Sequence, residues 1–553
     1  MKTGNPKASF GTPEYAIFKG VHLIVTYKIL ITDQLSAEGL AHLEAAEDIT
    51  FDVVTGLTSE TLAERILGYD GLIVRSSVTV TEAVLKAADQ LKAVGRAGVG
   101  VDNIDLDAAS KRGVVVMNTP GANTIATVEH TMAMLLAMCR HVPQAHASLK
   151  AGQWERKKFT GRQLYRKTIG IIGMGRIGSR VARRCQAFDM EVIAHDPYLS
   201  DKAAQEMKVK RVDLAELLER SDFIALHAAL TPNTENLINA ETIAQMKDGV
   251  RLVNIARGGL VDEAALIAGL QSGKIAGAAL DVYVEEPLPA DSPLLKLDNV
   301  VITPHIAAST EEAQHDVGIK IVEQMLDALR GVEYRNALNL PMADAGVLRE
   351  LRPFFNLAEK MGSLQAQLAD DAIQRIEIEL KGEPINSHIK SITVAILKGA
   401  LEAVLHHPVN YVNAPHLAQE RGIVVSQISG LPTPDYPNLI SCRVEWKGGS
   451  HTVAASLFSE DEPRLVQIDG YRVDVRPEGI ILMTHSRDMP GFIGRVGTVL
   501  GELGINIATW RTGRTAPGEL AISFISVDKD IPDYVLELLR QFELITKVKK
   551  VRL

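Results

Sequence analysis

The sequence predicts an α/β fold built on parallel sheets, and three observations carry that expectation. Short apolar runs recur along the first three hundred residues with helical patterns between them, which is how a sheet covered on both faces reads. One of these runs leads into Gly173-Met174-Gly175-Arg176-Ile177-Gly178, then a helical stretch, a second run at 192–194 and Asp196. Several other runs end in polar or glycine-rich segments, where the ligands of such folds collect. Strand, glycine turn, helix, strand and acid in that order form the pattern that binds a dinucleotide. Gly173 permits the turn, Gly175 leaves room for a pyrophosphate, and Gly178 lets the helix approach its strand. Asp196, 18 residues past Gly178, is placed to accept from ribose hydroxyls and to repel a 2′-phosphate, which favours NAD over NADP.

Composition narrows the class. The 553 residues exceed one core and suggest three or four domains. Hydrophobic content of 46%, charged content of 23% and a net charge of −9 without a long basic run describe an ordinary soluble globular protein and argue against a nucleic-acid partner. Cys139, Cys185 and Cys442 are too scattered for a disulfide framework, and a reducing cytoplasm is expected. The apolar run at 21–31 is too short and too interrupted to cross a membrane. No metal-ligand cluster is expected. Residues 1–26 are read as an extension outside the core.

In chain order, strands are expected at 28–33, 51–54, 71–74, 92–94 and 114–117, with a helix from about Ser36. Arg75-Ser76-Ser77 and Arg96-Ala97-Gly98-Val99-Gly100 follow two of them. For Arg75 and Arg96 two readings stay open, ion pairing or anion binding. A long apolar helix begins near Asn123; His130, His141 and His146 on or beside it are read as capping, packing or solvent-facing. The basic loop Trp154-Glu155-Arg156-Lys157-Lys158-Phe159 is either a solvated surface or a source of charge for an anionic substrate. Further runs at 169–172, 192–194, 223–226, 252–255, 276–280 and 300–302 give about six strands for the nucleotide-binding sheet.

The last strand ends present Arg257, Asp281 with Glu286, and His305 toward one crevice. Removing hydride from a secondary alcohol needs a base for the hydroxyl proton, and an imidazole suits it. His305 is the candidate, with Glu286 orienting it, Glu285 being the alternative, and Arg257 binding a carboxylate or polarising a carbonyl.

On these residues the segment from about 27 to 335 resembles the D-isomer-specific 2-hydroxyacid dehydrogenases. Arg257 in Ala-Arg-Gly-Gly, Glu286 before Pro287 and His305 after Pro304 match the family's catalytic set, and 149–159 is similar to its phosphoglycerate-oxidising members. The resemblance implies a Rossmann nucleotide-binding domain, 125–309, inserted in a flavodoxin-like substrate domain of 27–124 and 310–335. It implies NAD contacts from Val99, Gly173, Gly175, Arg176, Ile177, Gly178, Asp196, Ala228, Ile255, Ala256, Asp281, Ala307 and Ala308. Substrate contacts are implied from Arg75, Ser76, Gly100 and Arg156, with 3-phosphoglycerate as substrate and a homodimer or homotetramer as assembly. Ala228 and Ala307 depart from the threonine and glycine frequent in relatives.

Beyond this, 336–475 shows a helical segment at 348–370 and strand-like runs at 373–380, 439–444, 451–457 and 466–475. It resembles the family's intervening domain, with regulatory and spacer readings both open. Residues 479–553 follow a βαββαβ pattern that resembles an ACT domain. That likeness implies an effector, L-serine in the regulated members, held between two copies by Ser486, Asp488 and Asn506. Asp488 alternatively caps the helix that follows it.

Overall fold

The computed structural model describes residues 26–553 except 341–344, 384, 406–407, 432–434 and 460–461, and no side chain at 345–350. All but the last residue of the expected extension at 1–26 therefore lies outside the described residues. Four sheets organise the chain. The first is five-stranded and wholly parallel, from Tyr27–Ile31, Ile49–Val53, Gly71–Val74, Ala93–Arg96 and Val115–Asn118, in the spatial order second, first, third, fourth, fifth. Its inner strand Gly71–Val74 is buried at every position. Leu62, Leu85 and Ala109 cover one face; the helix Glu311–Leu329, returning from much later in the chain, covers the other through Ile321 and Met325.

The second sheet has seven parallel strands, one more than expected. Thr168–Ile172 is an inner strand, with Glu191–His195 and Lys210–Arg211 outward on one side and Phe223–Leu226, Val250–Asn254, Ile275–Leu280 and Val300–Ile302 outward on the other. The additional strand, Lys210–Arg211, is two exposed residues with no apolar run to announce it. The chain reverses direction across the sheet between Thr168–Ile172 and Phe223–Leu226, so a crevice opens at their carboxyl ends, above Gly173 and Ala228. The long helix after Asn123 runs over Thr124–Arg140 and breaks at His141, whose φ of +53° ends one helix and starts the next, Val142–Lys150.

The third sheet has six strands, Val424–Gly430 and Ile373–Lys381 paired in parallel and the other four antiparallel. The run expected at 466–475 is two strands, Pro463–Ile468 and Tyr471–Val475, turned at Asp469-Gly470 with both residues at positive φ. The fourth sheet orders Ile507–Arg514, Leu520–Val527, Ile480–Arg487 and Ile545–Arg552, all antiparallel, with helices Phe492–Glu502 and Asp533–Arg540 on one face. Strand alternation divides its residues: Leu482, Ile525 and Val548 meet those helices, while Ile481, Met483, Phe524 and Val551 join the core of the third sheet. Cys139, Cys185 and Cys442 are free and buried. No helix among the described residues is long and apolar enough to cross a membrane.

Candidate active site

The glycine turn has the shape its spacing implies. Gly173 takes φ +94°, and a Cβ on Gly178 would meet the Gly173 carbonyl oxygen at 2.0 Å, so neither position accepts a side chain. A Cβ on Gly175 would meet nothing within 4 Å, which leaves open space above the turn. The helix Gly178–Ala187 starts at Ile177 with no side chain capping it, so its first N–H groups face that space. These features fit a dinucleotide pyrophosphate. Asp196 accepts from the Met174 N–H at 2.7 Å and the Tyr198 N–H at 2.8 Å, which ties the acid to the turn it serves. Arg176 is exposed beside it, and the Ala228 backbone lies against Gly173.

Arg257 follows the strand Val250–Asn254, and its loop is braced from below. The fully buried Asn254 donates to the Arg257 carbonyl at 2.8 Å and accepts from the Ala256 N–H at 3.1 Å. The Ile255 side chain is buried in the core, so only its backbone can meet a ligand. The Arg257 guanidinium crosses toward the first sheet and pairs with Asp102 at 2.7 Å.

His305 sits at φ +52°, in the left-handed region that few non-glycine residues adopt. Asp281 holds it there: the buried carboxylate accepts from the N–H groups of Ile306 and Ala307, both at 2.9 Å, and from the Thr303 hydroxyl. Burial raises the Asp281 carboxyl, but His130, Thr303 and the two N–H groups outweigh it and hold the group below its ordinary value. A cofactor carboxamide would have to share oxygens that already shape the His305 loop. His130, read as a packing residue, faces Asp281 at 3.3 Å.

His305 Nδ1 lies 2.7 Å from Glu286 Oε2, and the other Glu286 oxygen accepts from the Tyr283 N–H at 3.0 Å. Burial pushes Glu286 up, and the His305 contact, that N–H and the Arg257 charge bring it below the usual range. Glu285 is exposed and makes no such contact. Among the described residues His305 Nε2 makes no hydrogen bond, so the pair leaves one ring nitrogen unengaged.

On the opposite wall Asp33 accepts from the Arg75 N–H at 2.9 Å, Asn103 donates to the Arg75 carbonyl at 2.8 Å, and Asn118 donates to the Val99 carbonyl at 2.6 Å. Ser76 is exposed beside Arg75. Arg96 is the group that sequence reasoning singled out without assigning to the site. Burial, together with the charges of Arg257 and Arg75, lowers its pKa to about 10. Its Nε is buried with no partner. Three guanidiniums close enough to repel one another, one with an orphaned donor, make an anion site. A cavity of 630 Å³ opens beside Arg75 and Ala97, with Gln34 and His315 on its wall. Arg156 stands on an exposed turn, and no bond joins it to these arginines within one chain.

The effector residues do not converge within one chain. Ser486 is buried in its strand; Asp488 is already paired with Arg514 at 2.6 Å; Asn506 donates to Asp528 at 2.7 Å. Arg487 lies opposite Leu520 and Ile507 opposite Val527, which puts Asp488 and Asn506 at opposite ends of the sheet. Asp488 does not cap the helix, which begins after Gly491 with no side-chain cap. A ligand touching both would have to take each from a different copy.

Three family models match the chain: the D-isomer specific 2-hydroxyacid dehydrogenase NAD binding domain over 132–307, the D-3-phosphoglycerate dehydrogenase intervening domain over 350–469, and the ACT domain over 480–544. The chain is 41% identical to the D-3-phosphoglycerate dehydrogenase of Synechocystis, covering 95% of this chain and 93% of that one. It is 43% identical to that of Methanocaldococcus jannaschii, over 95% and 100% respectively. Among solved structures it resembles a D-lactate dehydrogenase of Aquifex aeolicus complexed with NAD and lactic acid, at 32% identity and a TM-score of 0.51, over 55% of this chain and 96% of that one.

Proposed function

The chain belongs to the D-3-phosphoglycerate dehydrogenases, and from that premise we propose how its own residues oxidise 3-phospho-D-glycerate to 3-phosphohydroxypyruvate, the entry to L-serine synthesis. The observation that carries this reading is the Glu286–His305 pair, which lies within electrostatic reach of Arg257, while Arg257 and Arg75 both act on Arg96. NAD, held along the glycine turn by Gly173, Gly175, Gly178 and Asp196, would supply the hydride acceptor for C2. His305 Nε2 takes the C2 hydroxyl proton, and Glu286 orients the ring and favours its protonated form. Arg257 binds the carboxylate and polarises the developing carbonyl oxygen. Arg75 and Arg96 hold the phosphate, since a dianion offsets the repulsion among the three cations.

The working units are 27–124 with 310–335 for substrate, 125–309 for NAD, 336–475 as the intervening domain and 479–553 as the ACT domain. The last binds L-serine between two copies, one supplying Asp488 and the other Asn506, in a cytoplasmic homodimer or homotetramer. Arg156 reaches substrate only across such a contact. The test is NADH oxidation with 3-phosphohydroxypyruvate, glyoxylate and 2-oxoglutarate, each with and without L-serine. Preference for the phosphorylated acid with inhibition by serine is expected. Equal use of all three acids would contradict the phosphate assignment, and indifference to serine would contradict the effector assignment.

A further inference from the structure

The guanidinium of Arg257 is held at two of its three nitrogens. Nε donates to Asp102 Oδ2 at 2.7 Å and Nη1 to the Ala256 carbonyl at 2.7 Å. Among the described residues Nη2 makes no hydrogen bond, and it lies over Gly100, where a Cβ would approach it to 1.7 Å. The two anchors come from different walls. Ala256 belongs to the loop that carries Arg257, whereas Asp102 stands beyond the strand Ala93–Arg96 of the first sheet. Among the described residues this is the only ion pair joining 27–124 or 310–335 to 125–309.

Stability does not account for the pair. The Asp102 side chain is 59% exposed, and an exposed pair adds little to stability. Its geometry has another consequence. A free arginine carries rotamer entropy that a substrate would have to remove; here the plane of the guanidinium is fixed beforehand. Asp102, together with Asp33, also opposes the repulsion that Arg257 and Arg75 exert on Arg96.

Resting on the reading of Arg257 as the substrate's cation, we propose that Asp102 is a positioning residue for the reaction. It holds the guanidinium by its Nε edge, so that Nη2 is presented to the substrate. Because it does so from the opposite wall, Arg257 reaches its working orientation only when the cleft is shut. Gly100 is the complement of this arrangement, since any side chain there would occupy the place of Nη2.

The test is a double-mutant cycle of Asp102→Ala and Arg257→Lys in the full-length enzyme, read as kcat and KM for 3-phosphohydroxypyruvate with NADH affinity measured beside them. Asp102→Ala is expected to lower kcat about 10- to 100-fold, with NADH affinity unchanged. In the Arg257→Lys background the same change is expected to cost less than about twofold, because the group it positions is gone. Asp102→Glu, which keeps the charge, is expected to recover part of the loss. Equal losses in both backgrounds would overturn the proposal, as would an Asp102→Ala enzyme with wild-type kcat. An inert wild type would instead contradict the functional reading, so the two failures are distinct.

Discussion

Two histidines among the described residues bring Nδ1 within 2.7 Å of a carboxylate: His305 to Glu286 at 2.7 Å and His451 to Asp469 at 2.6 Å. Their surroundings differ. The side chains of the first pair are 42% and 36% exposed, and its Nε2 opens on a cleft with Arg257 within electrostatic reach. His451 is 9% exposed, its ring is tilted against Trp446 with centroids 5.1 Å apart, and its Nε2 is buried without a partner. It lies where the third sheet packs on the fourth, facing His485, whose Nε2 is also buried and unpartnered. The bond orients an imidazole in both places. Chemistry needs a second nitrogen that a substrate can reach, so access separates a catalytic pair from a structural one.

Breaking each pair should give effects of different kinds. Glu286→Gln keeps the size of the side chain and removes its charge, and kcat should fall about 100-fold or more while unfolding midpoints move little. Gly178→Ala tests the cofactor side of the same cleft. Its Cβ would collide with the Gly173 carbonyl, and NADH binding by fluorescence should weaken about tenfold or more, with about 1–3 kcal/mol lost from stability. Asp469→Asn should leave turnover unchanged and lower stability to urea by about 1–3 kcal/mol. Burial raises the Asp469 carboxyl, but His451 and the Thr452 N–H hold it below its ordinary value. The wild-type advantage over Asp469→Asn is then fully present above the carboxyl's unfolded pKa, near 4. It should fade as pH falls through the folded value, and an advantage unchanged at low pH would contradict the pairing.

The cleft was more legible in the sequence than the joint was. Strands at 71–74 and 223–226 are continuous apolar runs with sharp polar ends, and their observed bounds coincide with the runs. Lys210–Arg211 and Val424–Gly430 were not legible, because both are largely exposed edge strands without an apolar stripe. The helix Ile389–Glu402 went unread for the opposite reason: it is buried on most sides, and its apolar residues show no clear face. Arg257, Glu286 and His305 could be found because each follows a strand in a recognisable motif. Asp102 and Arg96 could not be assigned, since their meaning depends on Arg257 reaching them from 155 and 161 positions along the chain. The His451 pair depends on the turn at Asp469 folding back to the Thr452 backbone, a long-range contact that no local pattern encodes.

The central claim is that proton transfer occurs at His305 and not at the similarly paired His451. The most direct measurement is kcat for NADH oxidation with 3-phosphohydroxypyruvate in His305→Ala and in His451→Ala, both first shown to bind NADH. A loss of about 10²- to 10⁴-fold in the first, with turnover near wild type in the second, is the predicted result. Turnover retained by His305→Ala, or lost equally in both, would contradict the account.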